Sequence, residues 1–116
     1  MQPDLLFHLT SKEEWRSYSS KGFVQPESLK TEGFIHTSLG TQVQETANRI
    51  FNGREDLLLL VIDPMRIQEP IKYEVAENGE KYPHIYGKFS IDAIIDKLTL
   101  RPDKNGDFSI NVKHFD

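Results

Sequence analysis

The run Leu57–Ile62 is apolar at every position, Leu-Leu-Leu-Leu-Val-Ile. It is too short for most helices and far short of the roughly 20 residues that span a bilayer. A strand that is apolar on both faces has to be covered on both, so the run predicts a central strand between two layers. The rest of the chain must supply those layers. With 116 residues there is room for one core, and we read 1–116 as a single domain.

Elements of both kinds flank the run. Leu5–Thr10 reads as a first strand, apolar except for His8 and Thr10. Ser11 with Glu14 three residues on has the form of a capping box and opens a helix whose inward face carries Trp15 and Tyr18, closed by Gly22. Phe23 and Val24 form a short strand, Ser28–Glu32 a turn of helix, and Phe34–Ser38 a second clear strand centred on His36. Thr41 or Ser38 caps a helix that keeps Val43, Ala47 and Ile50 in register and runs to about Asn52. Ile71, Tyr73 and Val75 alternate with Lys72 and Glu74, as in a half-buried strand. Tyr82–Gly87 reads as irregular. Ile94–Arg101 and Phe108–Val112 flank Asn105-Gly106, a hairpin signal. The sum is about six strands and two main helices. The long helices come first and strands crowd the second half, which gives an α+β fold rather than alternating βαβ units.

Several functions are excluded or disfavoured at once. Cysteine is absent, which removes disulfides, thiolate metal sites and a cysteine nucleophile, and fits a reducing, cytoplasmic setting. A net charge of −4 repels an extended phosphate backbone, so nucleic acid is not the expected partner, although a small anionic ligand in a locally basic pocket is compatible with it. The opening Met1-Gln2-Pro3-Asp4 has no basic segment ahead of an apolar one, so we expect neither signal peptide nor membrane anchor.

The histidines carry the chemical interest. His8 and His36 each sit in an apolar strand with a hydroxyl residue two positions on, Thr10 and Ser38. Positions two apart share a strand face, so each pair presents an imidazole and a hydroxyl to one surface. His84 lies in the aromatic stretch Tyr82-Pro83-His84-Ile85-Tyr86. Glu74 is a candidate general base, Arg49 a candidate phosphate contact, and Tyr82 and Tyr86 candidate stacking rings. Against this stands the ordinary fate of such residues: satisfied core histidines, surface salt bridges and packed aromatics. His114 sits among charged residues near the end and reads as surface. No Walker loop, Gly-x-Gly-x-x-Gly, Gly-x-Ser-x-Gly or His-Glu-x-x-His is present.

The motifs Glu32-Gly33-Phe34-Ile35-His36-Thr37-Ser38 and Tyr82-Pro83-His84-Ile85-Tyr86-Gly87, with His8-Leu9-Thr10, Glu14-Trp15, Ala47-Asn48-Arg49 and Asp56–Pro64 in order, resemble the DUF952 family. That family looks like the ADP-ribosyltransferase superfamily, whose split β-sheet holds NAD in a cleft. The resemblance implies that His8 stands where such folds contact a ribose, and His36 where they contact the nicotinamide end. It is most similar to the two-histidine branch typified by the RNA 2′-phosphotransferases. His8 is followed by Leu9, not the glycine common in these enzymes, and no Glu-x-Glu stands on a late strand.

Three readings follow. In the first the chain is an NAD-using ADP-ribosyl or phosphoryl-acceptor transferase, with His8 and His36 positioning substrate and Glu74 or His84 assisting the acceptor. In the second it binds NAD, ADP-ribose or a related nucleotide without turnover. In the third His8, His36 and His84 hold a metal ion. The first two require His8 and His36 to line one cleft, with rings within roughly 10 Å.

Overall fold

The computed structural model describes residues 4–112. In chain order the elements are β1 (Leu6–Ser11), α1 (Lys12–Lys21), β2 (Phe23–Val24), α2 (Ser28–Thr31), β3 (Ile35–His36), α3 (Val43–Phe51), β4 (Leu57–Ile62), β5 (Ile71–Val75), β6 (Lys81–Ile85), β7 (Phe89–Ser90) and β8 (Ile94–Thr99). Single 3-10 turns occupy Pro64–Arg66 and Ile91–Ala93. The fold is a small mixed α and β one, with eight strands among the described residues in three antiparallel sheets, ordered β1-β4-β8, β2-β7 and β3-β6-β5. That is more strands than the six read from the sequence.

The apolar run is the middle strand of its sheet and is buried throughout. Because side chains alternate across a strand, β4 serves two cores. Leu60 and Ile62 pack with Leu6, Val24, Ile35, Ile85 and Phe89 on one face. Leu57, Leu59 and Val61 pack with Phe7, Val43, Ala47 and Phe108 on the other. The second layer is thus α3 and the segment after Leu100, and the first is the remaining two sheets with α1.

The helix signals hold at α1. Ser11 Oγ accepts from the Glu14 N–H at 3.0 Å and Glu14 Oε1 accepts from the Ser11 N–H at 3.1 Å. Gly22 takes the left-handed conformation (φ 84°) and its N–H closes on Tyr18 C=O. Tyr18 is the residue this helix buries. Trp15 is only partly buried at the rim of the core, with Lys97 Nζ 4.8 Å from its ring centre. Burial pushes the Tyr18 phenol up to about 12, helped by the neighbouring Glu14 carboxylate.

Elsewhere the structure corrects the sequence reading. Neither Thr41 nor Ser38 caps α3; Gln42 precedes it, its amide oxygen accepting from Leu39 N–H at 2.9 Å and its amide nitrogen donating to Lys81 C=O at 2.8 Å. Phe108–Val112 forms no strand. Side chains one turn apart on α3 hold it instead: Asn48 bonds both N–H and C=O of Phe108, and Gln44 accepts from Ile110 N–H. Tyr82–Ile85, read as irregular, lies in β6, the central strand of its sheet. Proline in a central strand removes a donor from the ladder. Here Pro83 stands where Thr37 would extend β3, so the ladder stops at His36–His84, and Thr37 N–H and Oγ1–H both turn to Pro83 C=O. In β5 only Ile71 packs on the core. Tyr73 and Val75 are 50% and 66% exposed, because the edge strand runs past the core after its first residue.

Candidate functional site

β1 meets the β3-β6-β5 sheet at one bridge among the described residues, where Phe7 and Ser38 exchange both N–H···O=C bonds at 2.8 Å. In a continuing antiparallel ladder the next bonded pair would be Leu9 with His36. That pair does not form. The strands part, and His36 C=O accepts instead from His8 Nδ1–H at 2.6 Å. The imidazole takes the place of a peptide N–H and spans the wider gap.

The register says what the parting leaves open. Lys12 N–H bonds Asp56 C=O, and the pairing of β1 with β4 keeps that alternation, so residues 8 and 10 turn their main-chain groups to β4 and residues 7 and 9 turn theirs outward. Phe7 is met by Ser38; the N–H and C=O of Leu9 face a cleft of about 520 Å³. His8, Leu9 and Ser38 line it from the parting strands, Arg49, Ile50 and Phe51 from α3, and His36, Tyr82 and His84 from the other sheet. Glu14, Glu27 and Ser28 close one side.

His8 and His36 therefore line one cleft. His8 is 7% exposed. Burial holds its ring below the ordinary histidine range, partly offset by the His36 carbonyl and Glu14. The neutral ring carries its proton on Nδ1. No buried polar side-chain atom among the described residues lacks a partner, so Nε2, which has none, reaches the cleft. His36 is over half exposed, and its Nε2–H donates to Glu32 at 2.6 Å. His84 lines the cleft with Nδ1–H on Glu74 at 2.8 Å and its ring stacked on Phe34 at 4.0 Å.

The depressed His8 pKa has a consequence for stability. Unfolded, His8 takes a proton near pH 6.5, whereas folded it does so only at lower pH. Between those points the unfolded chain binds more protons, so stability falls as pH drops below 6.5 and is unaffected by His8 above it. The slope due to this residue is at most about 1.4 kcal/mol per pH unit. Denaturation midpoints of wild type and His8→Asn between pH 5 and 8 should diverge below 6.5, the variant losing less; parallel curves would show that His8 is not the group responsible.

Other candidates are placed differently from the sequence reading. Thr10 does not reach the cleft; it is buried and its hydroxyl donates to Glu14 at 3.2 Å. Ser38 lines the cleft but leans on Thr46 Oγ1 at 3.4 Å. Arg49 lines it and is paired with Glu45 at 3.0 Å. The Tyr82 hydroxyl accepts from Asn78. Glu74 and Tyr86 stand outside the cleft lining: Tyr86 Oη–H donates to Glu74, which lowers the carboxyl's pKa and raises the phenol's. The three-histidine metal site does not assemble, since each ring is tied to a different acceptor and no group of three His, Asp or Glu among the described residues could hold an ion. His114 lies outside the described residues. Among the described residues no helix is long and apolar enough to cross a membrane. The sequence reading passed over the main chain of Leu9, which carries no side-chain signal, and Phe34, two residues before His36 on the same face.

No curated protein matches the chain. Among solved structures, the crystal structure of protein CC0527 from Caulobacter crescentus is 29% identical, covering 90% of this chain and 93% of that one, with a TM-score of 0.84. The solution structure of CC0527 is 30% identical over 89% and 90%, with a TM-score of 0.78. A family model described as "Protein of unknown function (DUF952)" matches residues 9–97, beginning one residue after His8 and taking in His36, Glu74 and His84. With most of its length on that model, the chain belongs to the DUF952 family.

Proposed function

We propose that the cleft binds NAD or a related nucleotide by its nicotinamide–ribose end, within an ADP-ribosyltransferase-like arrangement. The observation that carries this is the open edge of β1. A peptide N–H and C=O side by side suit a primary carboxamide, which offers the complementary acceptor and donor. Any residue supplies that edge, so Leu9 in place of glycine does not remove it. His8 Nε2 can accept from a ribose hydroxyl next to it. Glu14 and Glu27 complement a cationic nicotinamide ring, Arg49 is the cation on the lining for a phosphate, and the volume suits a small-molecule site.

The test compares NAD with its nicotinic acid analogue by thermal shift. A carboxylate cannot donate to Leu9 C=O, so it should bind at least tenfold more weakly, the equivalent of one lost hydrogen bond of about 1.4 kcal/mol. NAD at about 100 times Kd should stabilise the fold by roughly 2.7 kcal/mol. Equal shifts for both compounds, or none for either, would overturn the proposal. A second reading, binding without turnover, is favoured by the absence of Glu74 from the cleft lining. NAD consumption by the bound protein separates that reading from a transferase.

A further inference from the structure

The face of the β3-β6-β5 sheet turned away from the core carries Phe34, His36, Lys72, Glu74, His84 and Tyr86, and their contacts run in one direction. Tyr86 Oη–H donates to Glu74 Oε1. The same oxygen accepts from His84 Nδ1–H at 2.8 Å. Phe34 lies flat on the His84 ring, with centroids 4.0 Å apart and planes 14° apart, and the His36 ring meets it edge-on at 5.4 Å. Lys72 Nζ sits 4.7 Å from the Tyr86 ring centre and adds positive charge near Glu74. The ring of His84 is thus fixed in plane by a carboxylate and on its face by an aromatic. Of its two nitrogens only Nε2 is without a protein partner, and the side chain lines the cleft while Glu74 and Tyr86 do not.

A carboxylate behind Nδ1–H can only accept, so it fixes the tautomer and the ring orientation and leaves the lone pair on the opposite nitrogen. We propose that His84 is a proton-accepting residue of the cleft, with Glu74 and Tyr86 as the residues that position it, acting on a bound hydroxyl: a sugar hydroxyl or water. This rests on the cleft being a ligand site. In the step the O–H bond breaks, the proton forms a bond to Nε2, and the electron pair stays on the oxygen. The imidazolium charge is balanced by Glu74. The arrangement places His84 and His8 as two imidazoles on one cleft, each pinned through Nδ1 and each with Nε2 open, one against a carboxylate and one against a neutral carbonyl.

The experiment needs no substrate. Diethyl pyrocarbonate acylates unprotonated imidazole nitrogen, and its rate at His84 is read by peptide mass spectrometry at pH 8 in wild type and Glu74→Gln. Glutamine still accepts from Nδ1–H and so keeps the tie between β5 and β6, but it lacks the charge. The expected result is acylation of His84 about tenfold slower in the variant, with an unchanged melting temperature. If the contact only fastens two strands, the rate will be the same in both proteins, or His84 will resist acylation altogether; either result overturns the proposal. Should Glu74→Gln fail to fold, Tyr86→Phe serves with the same readout and the opposite sign. It takes a competing donor off Glu74 Oε1 and leaves the carboxylate charge to Nδ1–H, so His84 should acylate faster than in wild type, and an unchanged or lower rate would overturn the proposal. Adding NAD or ADP-ribose then separates the two claims. Slower acylation of wild-type His84 with ligand supports both, whereas no protection together with a Glu74-dependent rate sinks the nucleotide and leaves the proton acceptor standing.

Discussion

Leu60→Ala is expected to lower the stability of the fold by about 3–5 kcal/mol. Leu60 has no exposure and sits in the middle of the central strand, between Leu6, Ile62, Ile35 and Ile85. Truncation removes the transfer free energy of the lost carbons and leaves a cavity that neighbours held in two ladders cannot collapse to fill. A domain of this size has on the order of 5–15 kcal/mol in total, so the variant should be near its limit at physiological temperature. Urea denaturation measures it, with the midpoint falling and the slope unchanged. A loss below about 1 kcal/mol would mean that β4 is not the keystone that its burial on both faces implies.

His36→Ala is expected to do the reverse: to spare the fold and weaken the ligand. The ring is 55% exposed, and its hydrogen bond to Glu32 joins two surface side chains, a kind of pair that contributes little to stability. Phe34 still stacks on His84, and Ile35 still anchors the strand in the core. The backbone carbonyl that receives His8 does not depend on the side chain at 36. Affinity for NAD should fall by tenfold or more, about 1.4 kcal/mol, with a melting temperature within a few degrees of wild type. Both are measured on one sample. A large loss of stability with unchanged affinity per folded molecule would make His36 a structural residue.

Much of this was legible in the residues. The run at Leu57–Ile62 demanded a two-layer structure and stands at the centre of one. The box Ser11–Glu14 and the glycine at 22 bound α1 as their chemistry requires. The matching contexts of His8 and His36 brought them to one cleft. What the sequence hid has physical causes. Pro83 argues locally against a central strand, and only the early end of β3 makes room for it. The alternation in β5 named the core-side face, but only Ile71 packs there, because periodicity does not say where a core ends. The strand read at Phe108–Val112 has its backbone groups met by amide side chains of α3, a partner no local pattern announces. Glu74 looked like a base in the cleft because its residue type fits; only pairing with β6 puts it behind His84. The hydroxyls two residues after each histidine shared a face as read, but Thr10 found Glu14 first.

The parting of β1 from β3 gives one strand two kinds of amide. His8 and Thr10 turn their N–H groups into the ladder with β4, while Leu9, between them, turns its own toward open space. Placed in heavy water, β1 should not exchange as a block. Leu9 should take up deuterium early and its two neighbours only when the sheet opens, so that one fast amide stands inside a protected strand. That contrast makes the amide of Leu9 a built-in reporter: a molecule seated against the edge slows that one proton and leaves the others as they were.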